Sequence, residues 1–254
     1  MHVLLRITGD LRYKTALVAC LCTAVLFPGV AVAQGISITL GEDGSLAATS
    51  IQLIALLTVL SLAPGLAIMV TCFPLIVTVL SILRTGIGLQ QAPPNMLIIS
   101  LALFLTYFVM EPVFTQAWQA GVAPLIAETI ELNAAIPEIL NPFRVFMADR
   151  VDPDTFAAMA DLRAETQGLT ADAAAPLSVL IPSFLLSELA LAFQIGFLVF
   201  LPFLIIDLVV AAVLMSMGMM MVPPAIVSLP FKLAFFVVAD GWSLVAGSLV
   251  RSYF

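Results

Sequence analysis

Apolar residues in this chain gather into two long blocks, separated by an acidic stretch and each punctuated by prolines. From Ile51 to Met110 the only charge is Arg84, and from Leu177 to Phe254 only Glu188, Asp207, Lys232, Asp240 and Arg251 interrupt the apolar sequence. A membrane-spanning helix needs about 20 such residues, so each block has room for more than one. In the first block the run from Ile51 to about Leu83 is broken by Pro64-Gly65 and Pro74, which predicts a kinked helix or two stacked segments. Arg84, Thr85 and Gly86 mark its end, "GLQQAPPN" with Pro93-Pro94 forms a turn, and a second helix is expected from Met96 to about Val113. The second block runs from Leu177 through Pro182 and Pro202 to Val222, turns at Pro223-Pro224, and returns from Ala225 to about Val250.

The expected fold class is an all-α membrane protein, with two proline-interrupted helical hairpins flanking a small acidic helical exported region. "PPNMLIISLALF" beside "PPAIVSLPFKLAFF" hints at an internal repeat, although similarity of this kind is common among apolar sequences. Between the blocks, Glu111 to Pro176 carries ten acidic residues against Arg144, Arg150 and Arg163, a net charge of -7 that equals that of the whole chain. Asn141-Pro142 and Asp152-Pro153-Asp154 look like two helix starts there, opening the short amphipathic segments "FRVFMADR" and "TFAAMADLRAET".

The N-terminus reads as a secretory leader over residues 1–33. Arg6, Arg12 and Lys14 form its basic region, Ala16 to Val30 its apolar region, and Ala31-Val32-Ala33 its cleavage site; an uncleaved first helix is the alternative. Residues 34–50 then form a polar, Gly/Ser-containing exported linker ending at Ser50, a suitable N-cap for a helix from Ile51. The domain plan is completed by the first hairpin over 51–113, the acidic periplasmic region over 114–176 and the second hairpin over 177–254.

Composition agrees with this plan. Hydrophobic residues make up 62% of the chain and charged residues 10%, outside the soluble range. Loss of the leader would leave Cys72 as the only cysteine and no histidine, which excludes an intrachain disulfide, histidine metal sites, Ser-His-Asp triads and Cys-His pairs. Neither lysine, Lys14 or Lys232, follows a phosphate-binding glycine loop, and no cofactor motif is present. The acidic segment makes nucleic acid a poor partner and suits water. With a cleaved leader the first helix runs inward, Arg84 lies in the cytosol, the acidic segment is exported, and the C-terminus ends outside.

Charges inside apolar segments cost about 3 kcal/mol on insertion scales and are candidate functional residues by default. Arg84, Glu188, Asp207, Lys232 and Asp240 form that set, with assembly as their expected role. Folding the second block about Pro223-Pro224 sets Asp207 level with Asp240 and Lys232 level with Met215. Two carboxylates at one depth could share a proton as in an aspartyl intramembrane protease, yet "LIIDLV" and "VVADGW" lack the motifs of those enzymes. Lys232 and Asp240 also lie nearly two turns apart on one helix face, allowing an ion pair between subunits, or Lys232 could snorkel to the interface. A secondary transporter or a structural scaffold are the other readings.

The stretch "MSMGMMMVPP" puts five of eleven methionines, Met215, Met217, Met219, Met220 and Met221, into seven residues ahead of Pro223-Pro224. One or two methionines would read as core filler. Five at a turn, around Gly218, suit a surface that repacks around changing neighbours, and a hydrophobic constriction can exclude ions by dewetting.

"FQIGFLVFLPFLIIDLVVAAVLMSMGMMMVPPAIVSLPFKLAFFVVADGW", with "LRTGIG", "APPN" and "LALFLTYFVMEPV" earlier, resembles the FliP/SctR/SpaP family of type III export-gate membrane proteins, and its flagellar branch in particular. The resemblance implies a pentameric homo-oligomer that joins FliQ and FliR at the flagellar basal body in the cell membrane. It would work with other export-apparatus membrane proteins and membrane lipid, and pass unfolded flagellar proteins outward. It also implies hairpins raised largely out of the bilayer plane, no enzymatic activity, and a methionine gasket at Met219, Met220 and Met221. The chain departs from the family pattern in having Pro74-Leu75 after Cys72-Phe73, and Ala190 after Ser187-Glu188-Leu189, where the family has basic residues. Salt bridges through those basic residues are therefore not carried over.

The leader generates the first prediction. N-terminal sequencing of membrane-extracted protein should give Gln34 as the first residue; functional protein beginning at Met1 would show that the segment is retained.

Overall fold

In the computed structural model, residues 46–89, 93–219 and 221–254 are described. The leader, the linker as far as residue 45, the Gln90–Ala92 portion of the first turn and Met220 lie outside the described residues. The chain divides into two compact units, up to Leu56 and from Leu57 onward, and the packing below is that of the second.

Helix α1, Leu46–Met69, has 24 residues and so a length of about 36 Å, somewhat more than the ~30 Å hydrocarbon core of a bilayer. It starts ahead of Ser50, which lies inside the helix instead of capping it. Pro64 stays within it, and the chain breaks later, at Val70–Cys72, where the Thr71 hydroxyl donates to the Ile68 carbonyl at 2.9 Å. Pro74 then falls in the first turn of α2, Phe73–Ile87, where a missing amide proton has no intrahelical partner to lose. The apolar run is therefore two segments.

Helix α2 is the centre of the molecule. Leu75, Ile76, Val79, Leu80 and Leu83 are fully buried, and the core continues through Ala102 and Met110 to Ala192, Phe203 and Leu249. Its main neighbour is α7, Leu177–Ser216. Glycines let these two helices approach: a Cβ on Gly196 would stand 2.4 Å from Ile82 Cδ1, and one on Gly86 would stand 3.0 Å from the rings of Phe200 and Phe203. Gly88, at φ 86°, ends α2 in the left-handed region open to glycine.

Helix α3, Asn95–Ala117, outruns its expected end near Val113, because Pro112 does not stop it and a wide turn at Trp118–Val122 carries it into α4, Ala123–Ile126. Helix α5, Leu132–Arg150, corrects the expected start at Asn141-Pro142, since Pro137 and Pro142 both lie inside it. Packing of α5 against α3 and α7, with Ala135 and Met147 buried, outweighs the two lost backbone bonds. Asp152 does open α6, Pro153–Ala160: its carboxylate accepts from the Thr155 amide at 2.8 Å and hydroxyl at 2.7 Å, which hold it below the usual carboxylate range. Phe156 and Ala160 then join Met147, Val179, Leu180 and Phe184 in a second core, so the acidic segment is docked on the first turns of α7.

Helix α7 is unbroken over 40 residues despite Pro182 and Pro202, a length of about 60 Å. The last apolar run, expected as one helix, is two: α8, Pro224–Val238, and α9, Gly241–Arg251, bent by 60°. Asp240 makes the bend with φ 47°, and Gly241 leaves room for the Phe236 ring, which would come within 2.1 Å of a Cβ. By length and apolarity α1, α3 with its extension, and α7 can each cross a membrane, and the bent α8–α9 pair would make a fourth span. All regular structure among the described residues is helical, as the hydrophobic pattern implies.

The α2–α7 contact yields a prediction. Gly196→Val should lower the stability of the detergent-solubilised protein by about 1–3 kcal/mol through overpacking against Ile82. Gly65→Ala, which meets nothing within 4 Å, should be neutral or slightly stabilising. Unfolding followed by circular dichroism measures both.

Candidate functional site

The methionine turn begins as a helix terminator. Gly218 adopts φ 74°, its amide donates to the Met215 carbonyl at 3.1 Å, and the Met219 amide reaches back to the Leu214 carbonyl at 3.0 Å. This pair of bonds is the Schellman arrangement, and it satisfies carbonyls that the end of α7 would leave bare. Leu214 and Met219 line the same apolar groove of about 580 Å³ between α7 and α8, together with Val209, Val213, Met217 and Phe231. Met215, Met217 and Met219 are exposed, and Met221 is 98% exposed. Pro223 caps α8 and Pro224 occupies its first turn, so the loop is stopped on both sides, by a left-handed glycine and by two residues with fixed φ.

Lys232 is buried and its ammonium has two partners. Its ammonium donates to Asp207 Oδ2 at 2.6 Å and to the Gly86 carbonyl at 3.1 Å, and Ser228 Oγ donates to Asp207 Oδ1 at 2.5 Å. A cation therefore sits at the C-terminal end of α2, where unpaired carbonyls favour it. This corrects the register expected from folding about the prolines. Asp207 pairs with Lys232 and not with Asp240, because the loop between the two helices, residues 217–223, is centred near position 220 and not at the prolines, which shifts the pairing by about one turn on each side. Asp240 is exposed at the α8–α9 bend and makes no side-chain cap. The two carboxylates share no partner, so the dyad an aspartyl protease requires is not formed.

Glu188, 1% exposed, is met from two directions. Arg150 Nε and Nη2 both donate to Oε1 at 3.2 Å, and the Tyr253 hydroxyl donates to Oε2. Arg150 is thus the cation that pairs with Glu188 in this chain. Alongside it, the Asp152 amide donates to Ser187 Oγ at 2.9 Å. Arg84, half-buried, bonds Asn95 Oδ1 across the first hairpin turn, where Pro94 caps α3 and Pro93 precedes it.

The structure thus joins Asp207 with Lys232, leaves Glu188 in a separate cluster, and puts Arg84 and Asp240 in neither. Sequence reasoning missed Ser228, Arg150 and Tyr253. Arg150 carried one weak signal, as a cation in a segment otherwise acidic; Tyr253 carried none. No group of three or more His, Cys, Asp or Glu side chains among the described residues is arranged to hold a metal ion.

Comparison with known proteins gives a consistent answer. The model of the FliP family matches residues 56–249. The flagellar biosynthetic protein FliP of Caulobacter vibrioides is 52% identical over 247 residues, covering 96% of this chain and 92% of that protein. The proteins of the same name from Agrobacterium fabrum and Bacillus subtilis are 49% and 44% identical, over 89% and 86% of this chain and 94% and 98% of their own lengths.

The Lys232 network can be tested by unpairing it. Asp207→Ala should destabilise the protein by about 2 kcal/mol, less than for a fully enclosed pair because the Asp207 carboxylate keeps some solvent. Asp207→Ala with Lys232→Met should recover most of that loss, since no uncompensated charge remains. Unfolding midpoints of the three proteins provide the comparison.

Proposed function

Since the chain belongs to the FliP family, we propose that it is a core subunit of the flagellar type III protein export gate, whose methionine turn is a deformable seal. Flagellar biosynthesis is the role in its relatives' names; the channel and the seal are the further step. The observation that carries it is the exposure of Met219 and Met221 between Gly218 and Pro223-Pro224, at the end of a 40-residue apolar helix. In a homo-oligomeric ring, a pentamer with FliQ and FliR, one such turn per subunit would bring Met219, Met220 and Met221 to the axis. Apolar side chains there exclude hydrated ions, while the rotatable bonds of each thioether let the ring repack around a passing unfolded chain. A rigid side chain would defeat the second task and a polar one the first.

The gate lies in the bacterial inner membrane at the basal body, with the acidic segment in the periplasm and other export-apparatus proteins and lipid around it. Lys232 supports the shared side of the two hairpin turns, because it ties α8 to the end of α2. Catalysis has no place in this reading: protein passes through the ring, and the buried charges hold helices together.

Replacing Met219, Met220 and Met221 with alanine should leave assembly largely intact and make resting cells leak ions, whereas isoleucine should keep the seal and slow export through its stiff β-branch. Dye leakage measured beside flagellin secretion reads both effects. An alanine variant that assembles, exports and seals normally would reduce the methionines to core filler.

A further inference from the structure

Three parts of the chain that are remote in sequence converge on Glu188. The end of α5 contributes Arg150, α7 contributes Glu188 and Ser187, and the turn after α9 contributes Ser252 and Tyr253. Arg150 is used on every side: beyond its two bonds to Glu188, Nη1 donates to the Ser252 carbonyl at 2.7 Å, and the guanidinium lies 4.1 Å above the Tyr253 ring. The same ring stacks on Phe146 of α5 at 6.2 Å, and Phe146 meets Phe184 of α7 edge-on at 5.8 Å. The Ser252 hydroxyl and amide bond the Leu249 and Ser248 carbonyls, so the turn is held to α9 while it reaches the cluster.

The C-terminal turn supplies what Arg150 and Glu188 do not supply to each other. Removing it would leave Glu188 Oε2 and Arg150 Nη1 without these partners in a site where the carboxylate is shut off from water, and a partly satisfied buried network is costlier than a complete one. Burial, with the Glu188 charge added to it, pushes the Tyr253 phenol well above its ordinary range, so the hydroxyl stays a donor at neutral pH.

We infer that Ser252 and Tyr253 are a latch: they close over Arg150 and Glu188, and so fasten the acidic segment at the α5–α6 junction onto α7. The α2 core is built chiefly from other contacts, and Tyr253 packs against it only from outside.

Amide hydrogen exchange on the full-length, detergent-solubilised protein tests this. Tyr253→Ala should speed exchange across residues 143–160 by about tenfold or more, and change residues 75–83 of α2 far less. Tyr253→Phe keeps the ring on Arg150 and Phe146, removes only the hydroxyl, and should give a smaller rise in the same segment, which keeps the test open if the alanine variant fails to fold. Unchanged exchange at 143–160 in both variants, or a rise of equal size in α2, would overturn the latch.

Discussion

A charge among apolar helices is tolerated when an opposite or polar group reaches it in the same chain, and in this protein that requirement decides which helices meet. Lys232 is buried because α7 offers Asp207 and α2 offers the Gly86 carbonyl. Glu188 is buried because α5 offers Arg150 and the C-terminus offers Tyr253. Apolar side chains alone would let these helices slide, since one leucine packs about as well as the next and lipid competes for both. Two polar clusters at different heights on α7 define its register against its neighbours far more narrowly.

Small residues complete what the polar clusters begin. Gly196 and Gly86 let α2 approach α7 closely, and α2, only 15 residues long, buries a larger share of its residues than α7 does. A helix of that length is unstable alone in water, so its existence rests on α7 and α3. The acidic segment depends on α7 in the same way, through Phe156, Val179 and Phe184.

The hydrophobic pattern made the class of fold legible, because it depends on residues close together in sequence. What it hid was long-range. Pro112, Pro137, Pro142, Pro182 and Pro202 all lie inside helices, because tertiary packing outweighs a single missing backbone bond. The reverse happened at Asp240, where no proline marks the bend and the backbone turns left-handed beside a crowded Phe236. The partners of Asp207 and Glu188 were equally unreadable: the loop length that shifts Asp207 toward Lys232, and the route that returns Tyr253 to Glu188, are set by the assembled helices and not by any local spacing.

The length of α7 has a further consequence. At about 60 Å it is twice the thickness of a bilayer's hydrocarbon layer, and fitting it inside would need a tilt near 60°, beyond the 0–40° seen for spanning helices. Thickening the lipid to match would cost a fraction of a kcal/mol for each of about 30 Å, on the order of 10 kcal/mol in total. Part of α7 therefore projects beyond the acyl chains. Exposed apolar side chains run along it from Leu186 through Phe197 and Leu208 to Met215, about 44 Å of helix, so an untilted hydrocarbon layer of ~30 Å leaves some of them for another protein surface to cover.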